Sequence, residues 1–101
     1  MREHKEHYRL TRNYLQVGEY LKELRQKAGM TQREVSLALG YSSAQFISNF
    51  ERGISLPPLK KLKTLHEMYH GNMSKLIDLT LESERLILAD ALKRRAKDKS
   101  H

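Results

Sequence analysis

The most chemically suggestive spacing in the sequence is His66-Glu67-Met68-Tyr69-His70, an H-E-x-x-H pattern. On a helix the two imidazoles would share a face and hold zinc, with Glu67 as the base. A zinc enzyme also needs a third protein ligand and a substrate cleft, for which this chain offers little scaffold. Gly71 ends the helix, and a cationic His70 would suit its carboxyl end. We expect no catalytic residue, no resident metal and no cofactor, and at most an adventitious surface metal ion.

A second candidate pair is uncharged: Gln45 and Asn49, four residues apart. On a helix both amides lie on one face, and Asn and Gln make two-point contacts to adenine in the major groove of DNA. Gln45 has another interpretation, because it stands three residues after Ser42 and could complete a capping box with it. Asn49 could instead bind a phosphate. The positions of the helices that carry Gln45 and Asn49 therefore determine which of these roles each residue can have.

The spacing of apolar residues before this pair predicts helices and no strand of useful length. A first helix runs from Val17 to about Gly29, which can adopt the left-handed conformation that closes a helix. Thr31 and Glu34 form a capping box that begins a short second helix. That helix ends near Gly40, so it has about two turns.

A third short helix follows the turn Tyr41-Ser42-Ser43 and ends before Gly53. Two short helices joined by a turn that contains glycine make a helix-turn-helix, whose second helix is sized for the major groove. After a loop with two prolines, a fourth helix is predicted from Leu59 to His70. One or two further helices begin at Met73.

The predicted helices divide the chain into an N-terminal extension or arm at residues 1–16, a helical domain at 17–79 and a C-terminal helix with a basic tail at 80–101. The segment from Leu81 to Leu92 is more apolar than a surface helix requires, so it either forms a dimer or covers the core. The tail from Lys93 to Lys99 is solvated, contacts DNA or binds anionic lipid. The residues that could form an arm along DNA are Tyr8, Arg9, Arg12 and Tyr14.

Length and composition exclude several classes of protein. With 101 residues the chain forms one domain, which excludes an enzyme with an interdomain cleft. The absence of cysteine excludes disulfides and thiolate zinc sites and favours the cytoplasm. The longest apolar run, Leu86–Ala89, is too short to cross a membrane, and Met1–His7 leads into no signal core, so we expect it to belong to the mature protein. The net charge of +7 favours a polyanionic partner.

Four groups of residues together resemble the Cro/repressor (xenobiotic-response-element) helix-turn-helix family over roughly residues 17–79. They are Leu24-Arg25, Gly29-Met30-Thr31-Gln32, Leu39-Gly40 and the run from Gln45 to Gly53, in which Ile47-Ser48-Asn49-x-Glu51-Arg52-Gly53 is the most specific piece. The resemblance implies a five-helix DNA-binding domain that acts as a symmetric dimer on a palindromic operator. Between Gly40 and Gly53 the chain has one residue more than is usual in the family, which affects where the recognition helix starts.

The same resemblance assigns roles to single residues. It implies a partly buried ion pair between Arg25 and Glu51, and a phosphate contact by Gln32. Thr31 stands at the same helix start, where free amides suit a phosphate. Arg52 lies just past the recognition helix, where it could reach another phosphate. Lys60 and Lys61 are either further phosphate contacts or a solvated face. The positions that face the bases are Ser43, Ala44, Gln45, Ser48 and Asn49.

We therefore expect an all-α, non-enzymatic, sequence-specific regulator of transcription that binds double-stranded DNA as a homodimer in the cytoplasm and represses, with no membrane partner. The alternative is a protein-interaction module, such as an antitoxin or adaptor. In that case Leu37, on the outer face of the second helix, and the terminal segments would hold a protein partner. Salt dependence separates the two, because DNA binding that neutralises several phosphates weakens steeply with salt.

Overall fold

The computed structural model describes residues 13–99, with side chains described as far as Arg94. Three of the predicted arm residues, Tyr8, Arg9 and Arg12, lie outside the described residues, as do the side chains of the tail beyond Arg94. The described residues are all-α, as predicted. The helices are α1 (Leu15–Lys27), α2 (Gln32–Ala38), α3 (Gln45–Glu51), α4 (Leu59–Met68) and α5 (Met73–Lys99).

The turn between α1 and α2 follows from local sequence. Gly29 ends α1 with a φ of 73°, a conformation that strains residues with a side chain. The predicted capping box then begins α2: the Glu34 amide donates to Thr31 Oγ1 at 3.0 Å, and the Thr31 amide donates to Glu34 Oε1 at 2.8 Å. Both ends of this turn were therefore predicted from the sequence.

The start of α3 differs from the Ser42–Gln45 capping box considered above. α3 begins at Gln45, and the hydroxyl of Ser43 accepts a hydrogen bond from the Gln45 amide at 3.0 Å. Ser43 and Ala44 therefore lie in the turn before α3. Only the backbone amide of Gln45 takes part in this bond, so its side chain is available for other contacts on the helix.

The core lies where α1 packs against α3 and α5, and where α2 packs against α3. Gly18 sets the approach of α1 to α3, because a Cβ at this position would lie 2.5 Å from the carbonyl oxygens of Phe50 and Glu51. The largest fully buried apolar side chains of the core are Val17, Leu21, Val35, Ile47 and Leu65. Helix α3 is thus fixed on its inner side by two neighbouring helices.

The C-terminal segment is one helix: α5 runs without a break through the predicted boundary between residues 79 and 80. The predicted C-terminal helix is therefore the continuation of the fifth helix. Leu76 and Ser83 on its inner side are buried in the protein, and Tyr14 Oη donates to Glu84 Oε1 at 3.0 Å.

No helix among the described residues has an apolar stretch long enough to span a bilayer.

The two histidines of the H-E-x-x-H pattern have different environments. His66 is fully buried, and its Nε2 lies 2.9 Å from Tyr20 Oη, which also donates to Asn72 O at 3.2 Å. Helix α4 ends at Met68, and His70 lies beyond it with a φ of 55°. The imidazoles therefore do not share the face of one helix. Among the described residues no group of three or more His, Asp or Glu side chains could hold a metal ion.

Candidate nucleic-acid interface

The outer face of α3 carries a chain of three hydrogen-bonded polar side chains. Gln45 Nε2 donates to Asn49 Oδ1 at 2.9 Å, and Arg52 Nη2 donates to the same oxygen at 3.0 Å. The three residues are spaced four and three positions apart, which places them on one side of the helix. Because α1 and α2 cover the opposite side of α3, this face is the one that a groove of DNA could receive.

The hydrogen-bonding capacity of these amides differs. An amide oxygen accepts two hydrogen bonds, and an amide nitrogen donates two. Asn49 Oδ1 already accepts two, one from Gln45 and one from Arg52. Gln45 uses one N–H on Asn49 and keeps a second N–H and Oε1 for an outside partner. Gln45 can therefore make the donor-and-acceptor contact that adenine requires without breaking its bond to Asn49.

The other predicted base-facing residues surround this chain. Ser43 is exposed just before α3, although its hydroxyl accepts from the Gln45 amide. Ala44 and Ser48 are half-buried, and so is Asn49, whereas Gln45 is exposed. Gln45 is therefore both the most accessible of the predicted amides and the one with spare hydrogen-bonding groups.

An ion pair fixes α3 to α1. Arg25 Nε donates to Glu51 Oε2 at 2.6 Å, and Arg25 Nη2 donates to Glu51 Oε1 at 3.1 Å. The side chains are 11% and 4% exposed, so this contact is largely shielded from water. A third nitrogen, Arg25 Nη1, donates to Met30 O at 2.8 Å, and the bond to Glu51 raises the pKa of Arg25. One guanidinium thus joins α1, the turn before α2 and α3.

Helix α2 joins the same cluster through Gln32, whose Nε2 donates to Glu51 Oε1 at 2.9 Å. The resemblance implies that Gln32 contacts a phosphate. One N–H of its side-chain amide is bonded to Glu51, and the second N–H remains available to donate to a phosphate oxygen. Thr31 is exposed, but its amide is occupied by the Glu34 carboxylate. This bond between Gln32 and Glu51 was not predicted, because residues 19 positions apart in sequence leave no local pattern.

The two adjacent lysines of α4 behave differently. Lys60 is exposed, whereas Lys61 Nζ donates to Leu39 O at the end of α2. Lys61 Nζ also lies over the ring of Tyr41, 5.2 Å from its centroid. The ring of Tyr41 in turn stacks on that of Phe46, with the two centroids 4.6 Å apart. Lys61 thus holds the turn between α2 and α3. The aromatic pair next to this turn was the signal in the sequence that could have indicated the role.

Comparisons with known proteins agree with this geometry. A protein-family model for the helix-turn-helix matches residues 21–76, more than half of the chain and the segment that contains α2, α3 and α4. No curated protein matches the chain, and no solved structure does. The match, together with the arrangement of α2 and α3, assigns the fold: the chain belongs to the Cro/repressor-type helix-turn-helix family of DNA-binding transcription regulators.

Proposed function

We propose that this protein is a sequence-specific repressor that binds double-stranded DNA as a homodimer on a palindromic operator. The observation that carries the proposal is the hydrogen-bonded chain of Gln45, Asn49 and Arg52 on the exposed face of α3. Occupation of an operator by such a dimer excludes other proteins from that DNA, which is the reason for proposing repression.

Within this proposal Gln45 reads a base, and Asn49 positions Gln45. The donor and acceptor that remain on Gln45 match the N7 and N6 groups of adenine in the major groove. Asn49 Oδ1 is already occupied twice, so its contribution is to hold Gln45 in one orientation. Ser43, Ala44 and Ser48 supply small contacts beside it. The proposed half-site therefore contains an A·T pair opposite Gln45.

Phosphate contacts in this proposal come from the borders of α3. Arg52 lies at its carboxyl end, and Lys60 is exposed on α4. Thr31 and Gln32 stand at the start of α2, where the second N–H of Gln32 remains for a phosphate oxygen. Lys61 acts indirectly, because its ammonium holds the carbonyl of Leu39. Such contacts fix the register of the protein on DNA without selecting sequence.

Selection of duplexes from a random pool tests this function. We expect enriched sequences with two inverted half-sites whose centres lie about one DNA turn apart, roughly 34 Å. The enriched half-site should lose its preference for one A·T pair when Gln45 is replaced by alanine. Enrichment of no sequence, or of sequences without inverted symmetry, would contradict the proposal.

Leu37 supports a second candidate, a module that holds a protein partner. Leu37 is 64% exposed on α2, so an apolar surface of a protein partner could cover it and remove it from water. The two candidates respond differently to salt. Binding that depends on several phosphates weakens steeply between about 50 and 200 mM salt, whereas an apolar protein interface changes little.

A further inference from the structure

Phe46 is the large apolar side chain of α3 that the core leaves exposed. Its neighbours Ile47 and Phe50 are 1% and 6% exposed, whereas Phe46 is 43% exposed. Phe46 follows Gln45 directly and stands three residues before Asn49, a spacing that makes two side chains neighbours on a helix surface. The exposed ring therefore borders the chain of polar side chains on the candidate DNA-binding face.

The ring of Phe46 is held in place by other side chains. It stacks on the ring of Tyr41, with the centroids 4.6 Å apart and the planes inclined by 14°. Tyr41 is itself held by the ring of Phe50, whose centroid is 6.0 Å away, and by Lys61, whose Nζ also donates to Leu39 O. The stack is thus anchored to the core and to the end of α2. A ring fixed in this way loses little conformational entropy when it contacts a ligand.

The chemistry of the major groove identifies what an apolar ring on this face can contact. Base edges present hydrogen-bond donors and acceptors there, and the C5-methyl group of thymine is the apolar group among them. The side chain of phenylalanine makes no conventional hydrogen bond, so it gains from shielding that methyl group from water. The other predicted base-facing side chains are polar, except for Ala44, which is half-buried. Phe46 is therefore the residue of this face that suits thymine.

We propose that Phe46 is a specificity-determining residue that contacts the C5-methyl group of a thymine in the half-site. This thymine lies in the A·T pair opposite Gln45 or in the pair next to it, because the two side chains are adjacent on α3. The inference rests on the proposed function, since it requires α3 to lie in the major groove. It deepens that function by adding an apolar base contact to the hydrogen bonds of Gln45.

Deoxyuridine isolates the methyl group, because it pairs with adenine as thymine does and lacks only the C5-methyl. Each thymine of a selected half-site is replaced in turn, and the affinity of the parent chain for each labelled duplex is measured. We expect one position at which the replacement lowers affinity about fourfold, the factor that corresponds to one buried methyl group. Phe46→Ala should bind the two duplexes that differ at this position equally well. Equal affinity of the parent for thymine and deoxyuridine at every position would overturn the proposal.

The ratio of the two affinities separates a base contact from a structural role. If Phe46 served only to support Tyr41, Phe46→Ala would weaken binding to both duplexes by the same factor and keep the ratio of the parent, which would overturn the proposal. Phe46→Leu keeps an apolar side chain at this position and should still prefer thymine.

Leu37→Ala is the matched control, because it removes another exposed apolar side chain of the helix-turn-helix, 64% exposed on α2. This variant should keep the preference of the parent for thymine over deoxyuridine. Loss of the preference to the same extent in Leu37→Ala and in Phe46→Ala would show that it does not depend on a contact by Phe46, and would overturn the proposal.

The same measurements distinguish failure of this inference from failure of the proposed function. Enrichment of no sequence from a random pool would contradict both, since α3 would then read no base. An enriched duplex whose A·T preference depends on Gln45, but whose affinity depends on no thymine methyl group, would contradict the inference alone.

Discussion

Glu51 is the residue on which the position of α3 depends most, because its carboxylate accepts hydrogen bonds from Arg25 on α1 and from Gln32 on α2. The three side chains meet where water is largely excluded. Burial also raises the pKa of Tyr69, which lies close enough for the Glu51 carboxylate to contribute, so the tyrosine stays neutral beside the pair. The cluster orients the candidate DNA-binding helix without touching DNA.

Replacement of Glu51 by alanine should therefore weaken folding. The change leaves the buried guanidinium of Arg25 without its counter-charge, which costs about 3 kcal/mol of unfolding free energy. Urea denaturation measures this. The matched control is Glu23→Ala, which removes an exposed contact to Lys27 at 3.5 Å and should change the free energy by less than about 0.5 kcal/mol. Equal midpoints for Glu51→Ala and the parent would contradict a structural role.

His66 should make the stability of the fold depend on pH. Burial lowers the pKa of His66, although the Glu67 carboxylate partly opposes this, so the folded protein keeps the imidazole neutral. The unfolded chain takes up the proton near pH 6.5 and therefore binds more protons than the folded chain at lower pH. Stability should fall as the pH is lowered through about 6.5.

Thermal melting at pH 7.5 and pH 5.5 measures this dependence. His66→Gln should reduce the difference in Tm between the two values, since a glutamine does not titrate. His70→Gln, at an exposed position, should leave the difference as it is in the parent. A parent Tm that is constant over this range would show that His66 takes up its proton equally well in both states.

At the scale of elements, the contact of α1 with α3 depends on Gly18. Alanine in a helix is normally about 1 kcal/mol better than glycine. At this position its Cβ would lie 2.5 Å from the carbonyl oxygens of Phe50 and Glu51, so the helices must separate. Gly18→Ala should therefore lower stability, the reverse of the effect expected from helix propensity alone.

Chemical denaturation checks the sign of this effect. Gln16→Ala, at an exposed position on α1, is the control for a change to alanine in the same helix and should stay within about 0.5 kcal/mol of the parent. A Gly18→Ala variant more stable than the parent would mean that α1 and α3 are not in this close contact.

The elements also show what the sequence could predict. The capping box of Thr31 and Glu34 and the end of α1 at Gly29 are short-range features, and both were correctly predicted. The contacts of Gln32 with Glu51 and of Tyr20 with His66 join residues 19 and 46 positions apart. Such contacts depend on how the helices pack, so no local pattern reveals them. The base-reading positions remain predictions, because their partner is DNA.

At the scale of the whole molecule, charge and selectivity are separated. The chain has a net charge of +7, but residues 40–57, which include α3, contain one arginine and one glutamate and contribute nothing to it. The excess of positive charge lies in the flanking segments and gives general attraction to DNA. Selection of the operator is therefore assigned to uncharged side chains, and attraction and selection should respond to different substitutions.

The variant Lys60→Ala tests whether exposed lysines supply the general attraction to DNA. Lys60→Ala should weaken binding to selected and unrelated duplexes by similar factors, and should reduce the slope of log K against log salt concentration by about one unit. The slope is measured by titrating a labelled duplex at several salt concentrations. A loss confined to the selected duplex would assign Lys60 to base reading instead.

Base reading by Gln45 is tested by comparing the affinity of Gln45→Ala for a selected duplex with its affinity for an unrelated one. We predict a loss of about 1–3 kcal/mol on the selected duplex and almost none on the unrelated duplex, because an adenine contact is lost while phosphate contacts remain. Gln26→Ala, an exposed glutamine on α1, is the control and should change neither. Equal losses on both duplexes, or none on either, would contradict the claim that α3 reads sequence through Gln45.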